Sequence, residues 1–189
     1  SISYTTRKPR PNEIDGKDYH FVTSEKFGNL IKRNDFYEFA NIFDNYYGTH
    51  KETVTKLLSE GKDVLFDIDW QGTQQLKTTK NFSLKGLPRL PLATFFILPP
   101  NIKVLKNRLF NRHKGQEKLV EERMKKFSEE LSHWNEYDYV IVNDDLEECY
   151  KNILKIIDCV KSGEVNKATA FAINYNAEKI KKKVEELSK

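Results

Sequence analysis

The chain has 189 residues, of which 38% are hydrophobic, and this is enough for one ordinary α/β domain with a small subdomain. Its formal net charge of +4 comes with lysines dispersed among Glu and Asp rather than gathered in a patch, which argues against a nucleic-acid-binding protein. The two cysteines do not make a disulfide framework, and no apolar run reaches the length of a membrane span.

The first part of the chain predicts strands separated by short helices. Apolar or alternating runs predict strands over 1–6, 19–22, 36–43 and 63–67. Helices are predicted over 24–33, over 50–60 and after Gly72. Pro9 and Pro11 exclude a helix after the first strand, Ser24 is a candidate N-cap, and Gly61 stops the second helix. Residues 45–48 carry a turn signal.

The rest of the chain alternates strands with longer helices. Strands are predicted over 93–98 and 139–142, and helices over 100–111, 116–136, 144–160 and 176–187. Residues 77–91, rich in Lys, Thr and Pro, predict a surface loop. Cys149 and Cys159 fall on one predicted helix, roughly 15 Å apart along its axis, so they cannot form a disulfide bond. Unpaired cysteines favour a reducing cytosol.

This pattern predicts the α/β fold class. Short apolar strands that alternate with helices indicate parallel βαβ units. Closely spaced strands over 19–49 interrupt the alternation. They predict a small β-rich subdomain inserted into the α/β core.

Two arginines lie three positions apart at the end of the first predicted strand. Arg7 and Arg10 flank Pro9, and this stiff backbone keeps both guanidinium groups near one another. Paired guanidinium groups suit a phosphate with several charged oxygens. Two solvated surface arginines would give the same pattern, and these residues alone leave both interpretations open.

The aromatic strands that follow contain further polar candidates. Glu38 lies between two aromatic residues and can accept hydrogen bonds from two adjacent N–H donors, such as those of a guanine base. For a lone Glu, an exposed acidic position on a strand is the simpler interpretation. Tyr47 and Thr49 flank Gly48, where a ligand can approach the backbone closely, although an ordinary aromatic turn would look the same.

Acidic and basic side chains later in the chain complete the candidate set. Asp67 and Asp69 follow a predicted buried strand, where α/β sheets bind ligands, and carboxylates there can hold Mg²⁺ directly or through water. Helix capping by Asp69 is the alternative. Arg108, Arg112 and Arg123 lie in a strongly charged region that can close over phosphates. A salt-bridged, solvated helix is the alternative, because Glu residues are numerous nearby.

Several motifs follow one another in a specific order. They are Ser-x-Ser-x-Thr-Thr-Arg-x-Pro-Arg, Asp-Gly-Lys-Asp-Tyr-x-Phe-Val, Glu38, Asn-Tyr-Tyr-Gly-Thr, Asp-Ile-Asp-x-Gln-Gly, Pro-Pro and Tyr-Asp-Tyr-Val-Ile-Val-Asn-Asp-Asp-Leu. In this order they closely resemble the guanylate kinase family of P-loop nucleoside monophosphate kinases, over about residues 1–160.

The resemblance implies a role for each candidate residue. Ser3 and Glu38 would read the guanine base, with help from Thr49 and Asp69. The GMP phosphate would be held by Arg7, Arg10, Tyr19 and Tyr47. Asp67 would help to position Mg²⁺. The lid arginines that meet ATP phosphates and act in catalysis would be Arg108, Arg112 and Arg123, and Asn143 falls where the family contacts adenine.

The same resemblance implies an organisation of the chain. A P-loop-kinase-like parallel sheet core, with helices on both faces, would span 1–18 and 50–160 and carry a helical lid over about 108–136. A GMP-binding subdomain would span 19–49, and a helical tail would follow over 161–189. The chain departs from the family in the length of 77–91 and in the sequence of 112–116.

The implied activity is that of an ATP:GMP phosphotransferase in purine nucleotide metabolism. It moves the γ-phosphoryl group of ATP to GMP, giving ADP and GDP, with Mg²⁺. Expected partners are ATP and GMP or dGMP, without nucleic acid or membrane, for a cytoplasmic monomer or homodimer. A non-catalytic, guanylate-kinase-like scaffold domain is the alternative. The family's Gly-rich phosphate loop would precede Ser1, and the chain as given would be inactive without it.

Overall fold

A computed structural model describes residues 1–78, 92–113 and 116–189, and its elements fall into two units, residues 1–90 and 91–189. Unit 1 contains, in chain order, β1 (Tyr4–Thr5), β2 (His20–Phe21), α1 (Ser24–Lys32), β3 (Phe36–Ile42), β4 (Asn45–His50), α2 (Lys51–Ser59) and α3 (Trp70–Thr78). Unit 2 contains β5 (Phe95–Leu98), α4 (Ile102–Arg112), α5 (Glu117–Leu131), β6 (Tyr139–Val142), α6 (Leu146–Lys161), α7 (Val165–Ala168) and α8 (Ala177–Leu187). The predicted mixed α/β class is confirmed.

Unit 1 is built on a four-stranded sheet in the order β2-β1-β4-β3. Strand β1 runs parallel to β2 and antiparallel to β4, and β3 and β4 form an antiparallel hairpin. Aromatic residues favour this hairpin because they pack well on a half-buried pleated surface. Phe27 of α1 stacks on Phe36 and Tyr46, with ring centroids 4.6 and 5.4 Å apart. Helix α1 and the hairpin therefore share one aromatic core.

The turn of this hairpin lies earlier than the sequence predicts. Residues 45–48 belong to β4, so the prediction of a turn there is wrong. The chain reverses at Phe43 and Asp44, whose φ angles of 50° and 61° are both left-handed. Two consecutive left-handed residues give the turn that matches the twist of a hairpin. Tyr46 and Tyr47 favour the extended backbone that follows.

The strand predicted over 63–67 is also absent from the described part of unit 1. Residues 62–69 have no regular secondary structure, and Leu65 is 75% exposed. A short apolar run becomes a strand only where a neighbouring strand pairs with its backbone groups.

Side-chain caps determine where several helices begin. Thr23, rather than the predicted Ser24, caps α1, because its Oγ1 accepts the Lys26 N–H at 3.2 Å. Asp145 caps α6, with its Oδ1 at 2.8 Å from the Glu148 nitrogen, at the place where the sequence predicts that the helix opens. The side chains of Asn101 and Asn176 cap α4 and α8 in the same way. Each cap satisfies an amide that the first helical turn leaves unpaired.

Unit 2 is centred on the parallel pair β5 and β6. One face of this pair packs in a cluster that includes Tyr139, Ile141, Cys149, Ile156 and Ala168. The other face packs in a cluster that includes Leu98, Leu131, Val140, Ile180 and Leu187. Burial on both faces explains why β6 is a continuous apolar run rather than an alternating one. Residues after 160 supply Ala168, Ile180 and Leu187, so this segment belongs to the core of unit 2.

Three further sequence predictions concern the loop over 77–91, the two cysteines and the lack of a membrane span. The predicted loop over 77–91 begins inside α3, and residues 79–91 lie outside the described residues, as do residues 114 and 115. Cys149 and Cys159 both lie on α6 and are free, as predicted. Among the described helices, none combines the length and the apolar character needed to cross a membrane.

Candidate functional site

Two predicted arginines of unit 1 converge on one carboxylate, Glu13. Arg7 donates to Glu13 through both ends of its guanidinium group, Nη1 to Oε2 at 2.8 Å and Nη2 to Oε1 at 3.0 Å. The backbone N–H of Arg10 donates to Glu13 Oε2 at 2.6 Å, and Arg10 Nη1 lies 3.6 Å from Oε1. The hydrogen bonds from Arg7 lower the pKa of Glu13 to about 2, and the same contacts raise the pKa of Arg7.

Aromatic rings enclose the Arg7 guanidinium group. Its central carbon lies 5.2 Å from the ring centroid of Tyr19 and 5.6 Å from that of Phe21. Tyr19 meets Tyr47 edge to face at 6.1 Å, and the Tyr47 phenol also raises the pKa of Arg7. A guanidinium group over aromatic faces is held without losing its outward N–H donors. We call Arg7, Arg10, Glu13, Tyr19 and Tyr47 the anion cluster.

The local sequence explains this arrangement. Strand β1 ends at Thr5, and the prolines that follow prevent a helix. Asn12 adopts a left-handed φ of 71°, and the Glu13 N–H donates to the Arg10 carbonyl at 3.1 Å. This turn returns the Glu13 side chain to both arginines.

A buried carboxylate forms a second cluster in unit 1. The Glu38 side chain lies on β3, and the residue is only 3% exposed. Burial raises its pKa to about 7, and the nearby negative charge of Asp69 acts in the same direction. Contacts with Thr49 oppose this shift, although Thr49 Oγ1 is buried and makes no hydrogen bond of ordinary geometry with the described residues. A carboxylate in this environment gains from any ligand that brings N–H donors to it.

The start of α3 packs against this carboxylate. Asp69 Oδ1 accepts a hydrogen bond from the Gly72 N–H at 3.0 Å and so caps the start of α3. This is the helix-capping alternative that the sequence offered for Asp69. A Cβ atom at Gly72 would lie 2.6 Å from Glu38 Oε2. One helical turn later, the Gln75 side chain bonds to the backbone of Phe39, next to Glu38. We call Glu38, Thr49, Asp69 and Gly72 the carboxylate cluster.

Strand β4 connects the two clusters. Tyr47 and Thr49 are two residues apart on this strand, so their side chains leave the same face. Thr49 is paired with Glu38 in the ladder, and Tyr47 is paired with Thr5. Ser3 directly precedes β1, in which Tyr4 is paired with Gly48. Strand β4 therefore carries one member of each cluster, Tyr47 and Thr49, on the same face.

Asp67 stands apart from both clusters in its contacts. It is exposed and makes no hydrogen bond or ion pair with any residue that the structure describes. No group of three or more His, Cys, Asp or Glu side chains suited to a metal occurs among the described residues. A single free carboxylate still suits Mg²⁺, which is commonly bound through one or two carboxylates together with waters and substrate phosphates.

The remaining predicted residues lie in unit 2. Arg108 Nη1 donates to the Asn143 carbonyl at 3.0 Å, and Nη2 lies 3.5 Å from the Asp144 carbonyl. Arg112 is exposed and ends α4, while Arg123 is half-buried on α5. The structure thus brings Arg108 to the end of β6, next to Asn143, and shows no direct contact of Arg112 or Arg123 with that pair within the described residues.

Sequence reasoning missed Glu13 and Gln75. Glu13 lies six residues after Arg7 and three after Arg10. The sequence does not distinguish it from Asp15 and Asp18, which carry the same charge nearby. In the structure these two carboxylates bond to backbone amides, of Phe21 and Ile14 respectively. Gln75 gives no signal in the sequence, because an amide in a helix is usually solvated.

Taken together, an α/β fold with paired arginines, aromatic hydroxyls and a buried carboxylate is the kind of site that suits an anionic ligand carrying hydrogen-bond donors. The guanylate kinase family model matches residues 1–159. Guanylate kinases of Paramagnetospirillum magneticum and Rickettsia prowazekii are 46% and 48% identical over 157 residues, which is 83% of this chain and 70% and 75% of theirs. The crystal structure of guanylate kinase from Anaplasma phagocytophilum matches with a TM-score of 0.64 and 33% identity, over 84% of this chain and 73% of that one.

The chain belongs to the guanylate kinase family. Its relatives bear the name of an enzyme, which favours the catalytic function over the scaffold alternative.

Proposed function

We propose that the protein transfers the γ-phosphoryl group of ATP to GMP and that unit 1 binds the GMP. The observation that carries this proposal is the common face of β4, where Tyr47 of the anion cluster and Thr49 of the carboxylate cluster lie two residues apart. A nucleoside monophosphate carries a charged phosphate at one end and a hydrogen-bonding base at the other. The two clusters match these two ends.

The carboxylate cluster is suited to guanine. Glu38 and Asp69 offer acceptors, whereas guanine presents adjacent donors at N1 and at its 2-amino group; Thr49 and Ser3 assist at the same edge. Adenine has an acceptor at N1 and lacks the 2-amino group, so it would leave a buried carboxylate without donors. Leaving a buried polar group unpaired is the strongest way for a site to reject a close analogue.

The anion cluster is suited to the phosphate of GMP. Arg7, Arg10, Tyr19 and Tyr47 supply guanidinium and phenol donors, and charge-assisted bonds from arginine to phosphate are short and strong. Glu13 already keeps Arg7 and Arg10 close together, so little side-chain freedom is lost when the phosphate binds.

Phosphoryl transfer to GMP needs alignment and charge neutralisation more than covalent help. We assign Arg108, Arg112 and Arg123 to the ATP phosphates and Asn143 to adenine. Asp67 would hold Mg²⁺, and the ion would supply positive charge that offsets the charge of the ATP phosphates. The group of GMP that accepts the phosphoryl group is its own phosphate, which is already negatively charged. The reaction therefore needs no strong general base from the chain.

The finer organisation follows the same proposal. A parallel sheet core of the P-loop kinase type would span 1–18 and 50–160, with the lid over about 108–136 and the GMP-binding subdomain over 19–49, whose sheet β1 joins. The predicted helical tail over 161–189 packs in the core of unit 2. The free cysteines fit the cytoplasm. We expect a monomer or homodimer that binds ATP and GMP or dGMP, and neither nucleic acid nor membrane.

The test is the binding of GMP and AMP to the chain, measured by titration calorimetry, together with GMP phosphorylation by the full-length protein. We expect binding that strongly prefers GMP and activity that requires Mg²⁺. In Glu38→Ala, GMP binding should weaken by about 1–3 kcal/mol, the cost of losing charge-assisted hydrogen bonds. Equal affinity for GMP and AMP, or an unchanged affinity in Glu38→Ala, would refute the proposed base site.

A further inference from the structure

Strand β3 is the outer strand of the unit 1 sheet, so a row of its backbone groups faces away from β4. At Phe39 these groups are bonded by the side chain of Gln75. The Phe39 N–H donates to Gln75 Oε1 at 3.1 Å, and Gln75 Nε2 donates to the Phe39 carbonyl at 2.7 Å. The amide of Gln75 thus takes the place of a further strand at this residue and ties α3 to β3.

The residues joined by this pair of bonds are neighbours of the carboxylate cluster. Phe39 directly follows Glu38 in β3. Gln75 lies three residues after Gly72 and so neighbours it on the surface of α3, and Gly72 in turn lies three residues after the cap residue Asp69. The two hydrogen bonds therefore connect the strand that holds Glu38 to the helix that begins at Asp69.

The fit between these elements leaves little room for movement. A Cβ atom at Gly72 would lie 2.6 Å from Glu38 Oε2 and 3.3 Å from Ile68 Cβ. Glu38 and Asp69 are both acidic, and their mutual repulsion favours moving the helix away from the strand. A pair of hydrogen bonds across the junction opposes that separation.

We infer that Gln75 is a positioning residue for base recognition, which keeps the carboxylates of Glu38 and Asp69 at one spacing so that both accept from the same guanine edge. The inference rests on the proposed function, in which these two carboxylates read the base. Gln75 itself bonds to the backbone of Phe39 and acts on the ligand through Glu38.

The test replaces Gln75 by Met, which keeps the length and volume of the side chain and removes both hydrogen bonds. Gln74→Met is the matched control, because it is the same change at the neighbouring, exposed position. Calorimetric titrations with GMP and, by competition, with AMP are run on the chain for the wild type and both variants, alongside thermal melting. AMP shares the ribose and phosphate of GMP and differs in the base.

In Gln75→Met we expect a loss of about tenfold in GMP affinity, as for one to two net hydrogen bonds, with AMP affinity nearly unchanged. The preference for GMP should therefore fall by the same factor, while Gln74→Met retains it. Gln75→Glu keeps the acceptor for the Phe39 N–H and loses the donor to its carbonyl, and it serves as the test if Gln75→Met does not fold.

The outcomes separate this inference from the proposed function. A wild-type chain without preference for GMP over AMP would contradict the proposed function itself. If the wild type shows the preference and the folded Gln75 variant keeps it, only the positioning role is overturned. An equal loss of GMP and AMP affinity would also overturn it, because Gln75 would then support the unit in general rather than the base site.

Discussion

Glu13 occupies the guanidinium group of Arg7 with both of its carboxylate oxygens, at 2.8 and 3.0 Å, in the two-pronged geometry with which arginine also binds phosphate. Both partners are largely buried, with side-chain exposures of 14% and 17%. The second guanidinium group, on Arg10, approaches the same carboxylate. Arg7 and Arg10 are therefore held together by Glu13, and the phosphate of the proposed GMP site would have to share them with Glu13 or displace it.

The ion pair predicts a specific loss of stability in acid. The pKa of Glu13 lies at about 2 in the folded chain, below its ordinary value of 4.5. Its contribution to the free energy of unfolding is thus complete above about pH 4.5 and is lost as the pH falls towards 2. In Glu13→Gln this part of the pH dependence should disappear, so that the variant is less stable than the wild type at pH 6 and the difference shrinks in acid. Urea denaturation at several pH values measures this.

A constant difference between the two proteins from about pH 6 to pH 2.5 would contradict this account, since a lost packing contact does not titrate. Glu60→Gln is a suitable control, because Glu60 pairs with Lys62 at the exposed surface, where such pairs contribute little. Its acid profile should stay close to that of the wild type.

The contrast between Glu13 and the helix caps shows how far the sequence alone could predict the fold. Asp145 and Asn176 act on amides within their own first helical turn, so a local pattern was sufficient to predict α6 and α8. The choice of Glu13 over Asp15 as the partner of Arg7 depends on a left-handed turn at Asn12. Such a turn is a property of backbone geometry that residue types specify only weakly.

Tertiary pairing limited the other predictions. Phe43 is an unusual residue for a left-handed turn, and it adopts that conformation because β3 and β4 pair over six positions on either side of it. For a lone Glu on a strand, the sequence favours an exposed position. In the structure Glu38 is buried, because the helix that carries Gly72 packs against it. The order of motifs predicted which residues to expect in the proposed base site, whereas burial, and with it the shifted pKa, required the packing of α3 on β3.

The buried carboxylate predicts that base recognition depends on pH near neutrality. Burial places the pKa of Glu38 at about 7, so the group is mostly protonated at pH 6 and mostly ionised at pH 8. Only the ionised carboxylate can accept hydrogen bonds from both guanine donors, because the neutral acid carries a proton on one of its two oxygens. The affinity for guanosine should rise about tenfold between pH 6 and 8, following the ionised fraction. Guanosine is used in place of GMP because a phosphate also titrates in this range.

The affinity is followed by NMR titration of the chain at each pH. In Glu38→Gln the binding should be weaker and should no longer change with pH, because the amide does not titrate. If guanosine binds the wild type equally well at pH 6 and pH 8, the titrating group is not Glu38, or the carboxylate does not face the base.

Replacing Gly by Ala is expected to have opposite effects on the free energy of unfolding at Gly28 in α1 and at Gly72 in α3. Ala is generally favoured over Gly inside a helix by up to about 1 kcal/mol. Gly28 lies in α1 with nothing within 4 Å of an added Cβ, so Gly28→Ala should raise the free energy of unfolding and leave GMP binding unchanged. At Gly72 the added Cβ meets the carboxylate oxygen of Glu38 at 2.6 Å. Glu38 is buried and has little space to retreat, so Gly72→Ala should cost about 1–3 kcal/mol of stability, as overpacking does.

Gly72→Ala should also weaken the binding of GMP more than that of AMP, because the displaced carboxylate of Glu38 is the group proposed to read the base. Urea denaturation and calorimetric titration of both variants measure the two effects. A Gly72→Ala protein that gains stability as Gly28→Ala does would mean that Glu38 moves aside freely. The close contact would then be no constraint on the base site, and the fixed spacing of Glu38 and Asp69 would have to come from the Gln75 pair alone.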